Sequence, residues 1–597
     1  MRHHKGENAI AKSISARSPR TLLYGRLDVP PPATLFVLAL QHTALVTIFL
    51  IVAVTVARLA DLNVEAGRNF LSLTMVAGGL GTILQALAWR GVGSGYLVPS
   101  TTTTIILPAT GAALAVGGLP LVLGMTIYTG VIAAALSRVI HRLRPIFPPE
   151  ITGFVVLMVG LSVVVLAMRH FLGVGLPASE SKTSVILASV TLGVMVALNV
   201  WGTPAIRLFS SLLGVAFGCL VALATGAFAE EQLQSVGAAP WISLPRPFVQ
   251  GLAFDPGLLI PFTIAALAIS LNALGAITAA QKIEDAEWKR PEMRSLGRGI
   301  LADGLTNVIA GFVGGFGQAS TSGAVGLAQA TGATSRVIAF VVGSILILIA
   351  FLPKIGAFLL AVPGPIIGAA LTFSGCFLIT SAIQMIASRM LDSRKVFGLG
   401  IAFSLGIAAY VFPEQFAAAP QWLQPWVGSP VSVSVATAIL LNLVFRLGVF
   451  TRNAVTLDSQ QIDQQQLADF IAEQGALWGA PQDLVYRAEF MTVEAVNALV
   501  DHGLVHDLVK VSPAQPPVAV PGGLIRLSTR FDEFSLVVTV SYRGHLLEPS
   551  SIKPSAEEVL EEGGQVHLAR YLVGRAADRA RAARQGDLCV LTLTLQN

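Results

Sequence analysis

Apolar runs recur along the chain from Thr34 to Val449, and two of them break into glycine, serine and threonine. This pattern restricts the fold more than any other feature. A helix crossing a bilayer takes roughly 20 apolar residues. In lipid every backbone N–H and C=O needs a partner inside the protein, so a helix breaks only where it is buried in protein or lines a cavity. The two broken runs are GVGSGYLVPSTTTTIILPATG (91–111) and GGFGQASTSGAVGLAQATG (314–332).

Seven runs lie between Thr34 and Phe228, and seven between Leu258 and Val449. The broken ones are third and tenth, the same ordinal position in each half. An odd-numbered repeat sets its halves upside down to one another. The expected fold class is therefore an α-helical polytopic membrane protein of 14 transmembrane segments, arranged as 7+7 inverted repeats. Paired broken helices also mark the midplane substrate site of secondary transporters. The plainer reading is that Gly, Ser and Thr let helices pack closely.

Composition agrees with a membrane protein. The chain is 54% hydrophobic and 12% charged, with a mean hydropathy of +0.71, whereas a soluble domain carries about 25% charge. The net charge of +5 sits mostly in loops and tails, which argues for topology and against a nucleic-acid partner. The basic start (1–27) and the loop HRLRPIF (His141–Phe147) are expected in the cytoplasm. The basic start lacks the apolar core of a signal peptide and is read as a retained tail. An even number of spans then puts both termini on the cytoplasmic side, in a cell membrane of bacterial inner-membrane type. Cys219, Cys376 and Cys589 lie far apart and suggest no metal site; no cofactor is expected.

Small neutral groups dominate the candidate pocket: Ser100, Thr101, Thr102, Asn272, Ser322 and Thr331. Ionisable groups within spans are functional candidates by default. His42 and Asp303 are thus candidates for proton or ion coupling, with a structural hydrogen bond and a helix cap as their plainer roles.

The region 28–450 resembles the nucleobase–ascorbate transporters, or uracil/xanthine permeases. PPPATLFVLALQHTALV, with Gln41-His42, is similar to their first helix, and ADGLTNVIAGFVGG to their ninth. Gly326, Thr331 and Gly332 fit the signature of the tenth. The resemblance implies core and gate domains, a homodimer, and elevator-type movement of a small solute such as uracil or xanthine. It also places substrate-binding residues at Asn272, Gly275, Gly323, Ala324, Gly326 and Thr331. Three positions depart from the family pattern. Gly323 and Ala324 stand where polar residues are usual, and Asn272 where the family carries Glu. An amide donates and accepts but does not titrate. The residues leave open a nucleobase, a non-nucleobase anion held at broken-helix N-termini, or a sensor that binds without transporting.

After a linker at 451–460, residues 461–597 turn polar and read as a small cytoplasmic α/β domain in the order helix, helix, strands, helix, strand. In that reading one helix runs through SAEEVLEEGGQVHLARYLVGRAADRARAA. The order resembles the ATP-binding fold of histidine kinases and anti-sigma factors. Asn497 matches its Mg²⁺-facing amide and Gly544 the first glycine of Asp-x-Gly-x-Gly, while Tyr542 replaces the Asp. The resemblance implies a degenerate, regulatory domain with a cytoplasmic partner, and not an enzyme.

Overall fold

A computed structural model describes residues 22–596 apart from 144–148, 176, 204–205, 208, 229, 248–250, 286–290, 388–390, 392, 421–422, 428, 446–451, 510–517, 522, 532–534, 551, 553 and 556–563. The chain divides into two compact units, Met1–Gln384 with Ile401–Ile439, and Met385–Gly400 with Leu440–Asn597.

The first unit is helical. It begins α1 (Pro32–Ile48), α2 (Leu50–Leu59) and α3 (Val64–Leu87). A three-residue strand, β1 (Ser100–Thr102), then precedes α4 (Leu107–Leu143). Helices α5 (Pro149–Phe171), α6 (Ala178–Trp201), α7 (Ser210–Ala224) and α8 (Glu230–Ala238) complete the first half. The second half opens with α9 (Leu259–Glu284) and α10 (Met293–Val313). Strand β2 (Gln318–Ser320) leads into α11 (Ser322–Thr331), followed by α12 (Arg336–Ala350), α13 (Pro353–Ala361) and α14 (Gly364–Ala387). Helices α15 (Ser393–Val411), α16 (Pro413–Ala417), α17 (Gln424–Val427) and α18 (Pro430–Phe445) follow, with α15 up to Gly400 and α18 from Leu440 counted in the second unit.

Among the described residues, eight helices are long and apolar enough to cross a membrane, or nine if the α12–α13 pair, bent by 80°, counts as one. Helix α10 carries Arg294, Arg298 and Asp303, and α7 and α18 are shorter apolar helices. The third and fourth apolar runs share α4, which breaks at Gly117–Gly118, where Gly118 has φ 65°. Close packing follows glycine. A Cβ on Gly79 of α3 would lie 2.6 Å from the Gly343 carbonyl of α12. Small residues of this kind bring transmembrane helices together where lipid gives no hydrophobic drive.

The second unit has its own core. Strand β3 (Arg452–Asp458) precedes α19 (Gln464–Trp478) and α20 (Gln482–Asp501). Strands β4 (His506–Val509) and β5 (Val518–Pro521) pair with each other. Then come β6 (Leu524–Phe531), β7 (Ser535–Tyr542), α21 (Gly564–Ala576), β8 (Arg579–Gln585) and β9 (Leu588–Gln596). The five-stranded sheet is antiparallel throughout, in the order β3-β6-β7-β9-β8. Alternation buries one face: Ile525, Leu527, Val538, Val540, Leu591 and Leu593 join Leu484, Met491 and Leu499 in the core.

Two local expectations change here. The segment expected as a linker contains strand β3, paired along its length with β6. The helix expected to run through RARAA ends at Ala576, and 579–585 form β8. Arginine alternates with alanine there, so Ala580 and Ala582 pack toward the core while the arginines stay exposed. Gly586, at φ 63°, turns the chain into β9.

Candidate functional site

The two broken runs meet. Strands β1 and β2 pair antiparallel, with Ser100 opposite Ser320, Thr101 opposite Ala319 and Thr102 opposite Gln318. All six residues are buried. Each strand gives the other the backbone partners that lipid cannot supply.

Side chains of neighbouring helices hold this crossing. Asn307 of α10 behaves like a further strand toward Gln318: its Oδ1 accepts from Gln318 N at 2.9 Å, and its Nδ2 donates to Gln318 O at 2.8 Å. Thr82 Oγ1 accepts from Ser100 N at 3.0 Å. Asp303 accepts from Ser320 N (3.0 Å), Ser320 Oγ (2.8 Å) and Gln85 Nε2 (2.7 Å). Gln85 Nε2 also lies 2.7 Å from Ser320 Oγ and 2.9 Å from Gly299 O. Asp303 sits in the middle of α10, so it does not cap that helix. It has no ion-pair partner among the described residues, and its carboxylate is held by neutral donors alone.

Asn272 of α9 donates from Nδ2 to Ser320 O at 2.7 Å, tying α9 to the crossing. Its Oδ1 makes no hydrogen bond among the described residues. Helix α1 packs against both β1 and α11. His42 on α1 is fully buried, with Nδ1 3.0 Å from Leu38 O. A carbonyl only accepts, so Nδ1 donates in this contact. His42 Nε2, Gln41 Oε1 and Ser100 Oγ are buried with no partner among the described residues.

The residues expected from the sequence are therefore only partly assembled. Ser100, Thr101, Thr102 and Asn272 converge on the crossing, with His42 and Ala324 on the packed pair α1 and α11. Gly323 is exposed in the first turn of α11, where its N–H is capped by Thr321 Oγ1 at 3.3 Å. The Ser322 side chain lies outside the described residues. Thr331 is at the far end of α11, and its hydroxyl donates to Leu327 O of its own helix at 2.9 Å. Nine residues along a helix is about 13 Å, so Thr331 closes the helix end with Gly332 and does not face the crossing. Gly275 is exposed on α9, and neither Gly275 nor Gly326 has an atom within 4 Å of where a Cβ would be. Gly332 caps the C-terminal end of α11, and Arg336 begins α12.

Sequence reasoning missed Gln85, Asn307 and the glycines of α3. A Cβ on Gly81 would lie 2.4 Å from Thr306 Cγ2 and 2.9 Å from Ser100 Oγ. The available signals were an amide inside an apolar run and the stretch Gly78-Gly79-Leu80-Gly81.

In the second unit, Asn497 Oδ1 accepts from Gln464 Nε2 at 3.2 Å. Gly544 (φ 143°) has a structural role, since a Cβ there would lie 1.8 Å from Leu504 O. The Tyr542 hydroxyl donates to His545 O and accepts from Leu547 N, both at 2.9 Å, and burial pushes its pKa up to about 12.

Residues 33–415 match the xanthine/uracil permease profile, described as the Permease family. Xanthine permease XanP of Escherichia coli (strain K12) is 28% identical over 456 residues, covering 74% of this chain and 98% of that protein. Uric acid permease PucJ of Bacillus subtilis (strain 168) is 28% identical over 450 residues, covering 73% and 97%. Among solved structures, the transmembrane domain of the cyanobacterium bicarbonate transporter BicA aligns with a TM-score of 0.43 and 15% identity, covering 69% of this chain and 98% of that one. The family match takes in both broken runs and most of the membrane unit, and on that ground the chain belongs to the xanthine/uracil permease family of multi-pass membrane transporters.

Proposed function

We propose that this chain is a secondary active transporter of a xanthine-like or uric-acid-like nucleobase, bound where β1 and β2 cross. The observation that carries the reading is the pairing of two broken runs from opposite halves of the chain, with buried polar atoms of Gln41, His42 and Ser100 left without a hydrogen-bond partner among the described residues on β1 and on the helix packed against it. Gln41 Oε1 and Asn272 Oδ1 accept, and the His42 ring and the Ser100 hydroxyl can do either. A planar heterocycle rich in N–H groups satisfies that set. An anion, itself an acceptor, matches a set made largely of acceptors less well. The relatives named xanthine and uric acid permeases support the same ligand class.

In this reading the membrane region has 14 segments in 7+7 inverted repeats, with core and gate domains moving as an elevator within a homodimer. Both termini lie in the cytoplasm of a bacterial inner membrane, and 461–597 form a regulatory domain. The substrate-binding set is Ser100, Thr101, Thr102, Asn272, Gly323 and Ala324, with Ser322, Gly275 and Gly326 as supporting positions, and Thr331 serves only to close the far end of α11. His42 and Asp303 are the coupling candidates. Neither Asn272 nor Gly323 titrates, so a proton-coupling role in this reading is assigned to these two.

Uptake of radiolabelled xanthine, uric acid and uracil into proteoliposomes tests the proposal. Saturable uptake of at least one purine, lowered by His42→Ala, is the expected result. Selective binding without uptake would make the chain a sensor, and uptake of bicarbonate or another small anion instead would overturn the ligand class.

A further inference from the structure

The outward face of the five-stranded sheet carries arginine in an ordered way. Register places Arg452, Arg530, Val537, Thr594 and Arg579 in one row across all five strands. The next outward row ends in Arg581, and the third contains Arg526. The fourth holds Asp458 opposite Leu524. Arg526, Arg530, Arg579 and Arg581 are exposed. None of the four has an ion-pair partner among the described residues. Between them lies a floor of half-buried hydroxyls, including Thr539, Ser541, Thr592 and Thr594.

Arginine on β8 alone would be ordinary protection of a sheet edge. Strand β6 is not an edge, because β3 and β7 flank it. Its two arginines therefore need another reason. Three strand steps of about 4.8 Å separate β6 from β8, so the face presents two cationic lines about 14 Å apart.

The chain itself indicates what meets this face. The apolar helix α18 ends at Phe445, and β3 starts at Arg452. The seven peptide steps between them reach at most about 25 Å. The row with three arginines is the row at which this tether enters the sheet. Positive charge declines away from it, and the carboxylate of Asp458 comes last. A cationic gradient directed at a membrane tether matches the anionic surface of a bilayer, where juxtamembrane lysine and arginine gain attraction that fades within a Debye length.

We propose that this sheet face docks on anionic phospholipid headgroups of the membrane that the same chain spans. Docking would hold the C-terminal unit in one orientation at the bilayer surface, and would release it when lipid charge falls or salt rises.

The full-length protein in lipid nanodiscs tests this. Thr592→Cys, in a Cys376→Ser background, takes an environment-sensitive NBD label at the centre of the face; Cys219 and Cys589 are buried. In phosphatidylglycerol-rich discs the label should shift to the blue and resist acrylamide quenching. In phosphatidylcholine discs, or at high salt, it should do neither. Each arginine changed to glutamine should lower the docked-to-free ratio about fivefold. R526Q/R530Q/R579Q/R581Q should therefore abolish the difference while keeping the thermal midpoint and elution volume of the parent. Equal emission in the two lipids, or a shift insensitive to salt and to the four substitutions, overturns the proposal. A shift that appears only when RNA or an acidic peptide is added to phosphatidylcholine discs also overturns it, by assigning the face to a soluble polyanion.

Discussion

The β1–β2 crossing and the C-terminal sheet are both antiparallel β-structure, yet they are stabilised by opposite means. The crossing has three residues per strand and is buried among polar groups: Asp303, Asn307, Gln85 and Thr82 each bond the strands or a side chain of them. The sheet has strands of seven to nine residues with an apolar inner face and a polar outer one. In water the second arrangement suffices, because solvent satisfies exposed backbone and apolar burial drives assembly. In lipid burial gains little, and unsatisfied N–H and C=O groups decide the structure. The same backbone pattern is thus held by hydrogen-bond donors and acceptors in one unit and by leucine and valine in the other.

The largest expected effect comes from Asp303→Leu. It strands the Ser320 N–H and the Ser320 hydroxyl hydrogen, while Gln85 keeps Gly299 O and Ser320 Oγ as acceptors, and each orphan costs about 1–3 kcal/mol. Proteoliposome uptake should fall more than about a hundredfold, with a lowered unfolding midpoint in detergent. Near-normal uptake would mean that polar satisfaction does not hold the crossing.

Leu593→Ala removes a fully buried side chain from the C-terminal core and should cost about 2–5 kcal/mol. Trp478, stacked on Phe531 at 5.9 Å, reports that loss by fluorescence during denaturation. Xanthine affinity measured alongside should not change. A parallel drop in affinity would break the contrast, by making the two units one cooperative body.

Asn272→Ala removes the bond to Ser320 O and one free acceptor. Nucleobase affinity, read by equilibrium binding, should weaken about five- to twentyfold, as for one or two neutral hydrogen bonds. No change would place the ligand away from α9. The smallest effect belongs to Arg487→Ala. Its ion pair with Asp578 spans 3.2 Å between side chains 46% and 27% exposed, and such pairs contribute less than about 1 kcal/mol. Stability should barely move, and uptake not at all.

Much of this was legible in the sequence because lipid leaves few alternatives. The broken runs at 91–111 and 314–332 announced themselves by glycine and hydroxyls in apolar surroundings, and Asn272 by being an amide in an apolar helix. Their mutual pairing was not legible, since register between strands some 218 positions apart is set in three dimensions. Gln85 and Asn307 escaped notice because an amide that bonds backbone looks like any other polar residue in one dimension. Thr331 misled for the converse reason: its hydroxyl serves its own helix. In the C-terminal unit, RARAA read as helix because alanine and arginine are good helix formers. Pairing with β9 overrides that propensity.

The pairing of Ser100 with Ser320 also has a consequence for biogenesis. A ribosome adding about 5–20 residues per second needs roughly 10–45 s to pass from one strand to the other. Throughout that interval β1 is in or near the membrane without its partner strand, and its backbone groups need water, the insertion machinery or provisional contacts as a substitute. Synthesis of the second half is therefore the step at which the first half becomes stable in the bilayer. Truncation between the halves should leave a fragment that membrane quality control removes quickly.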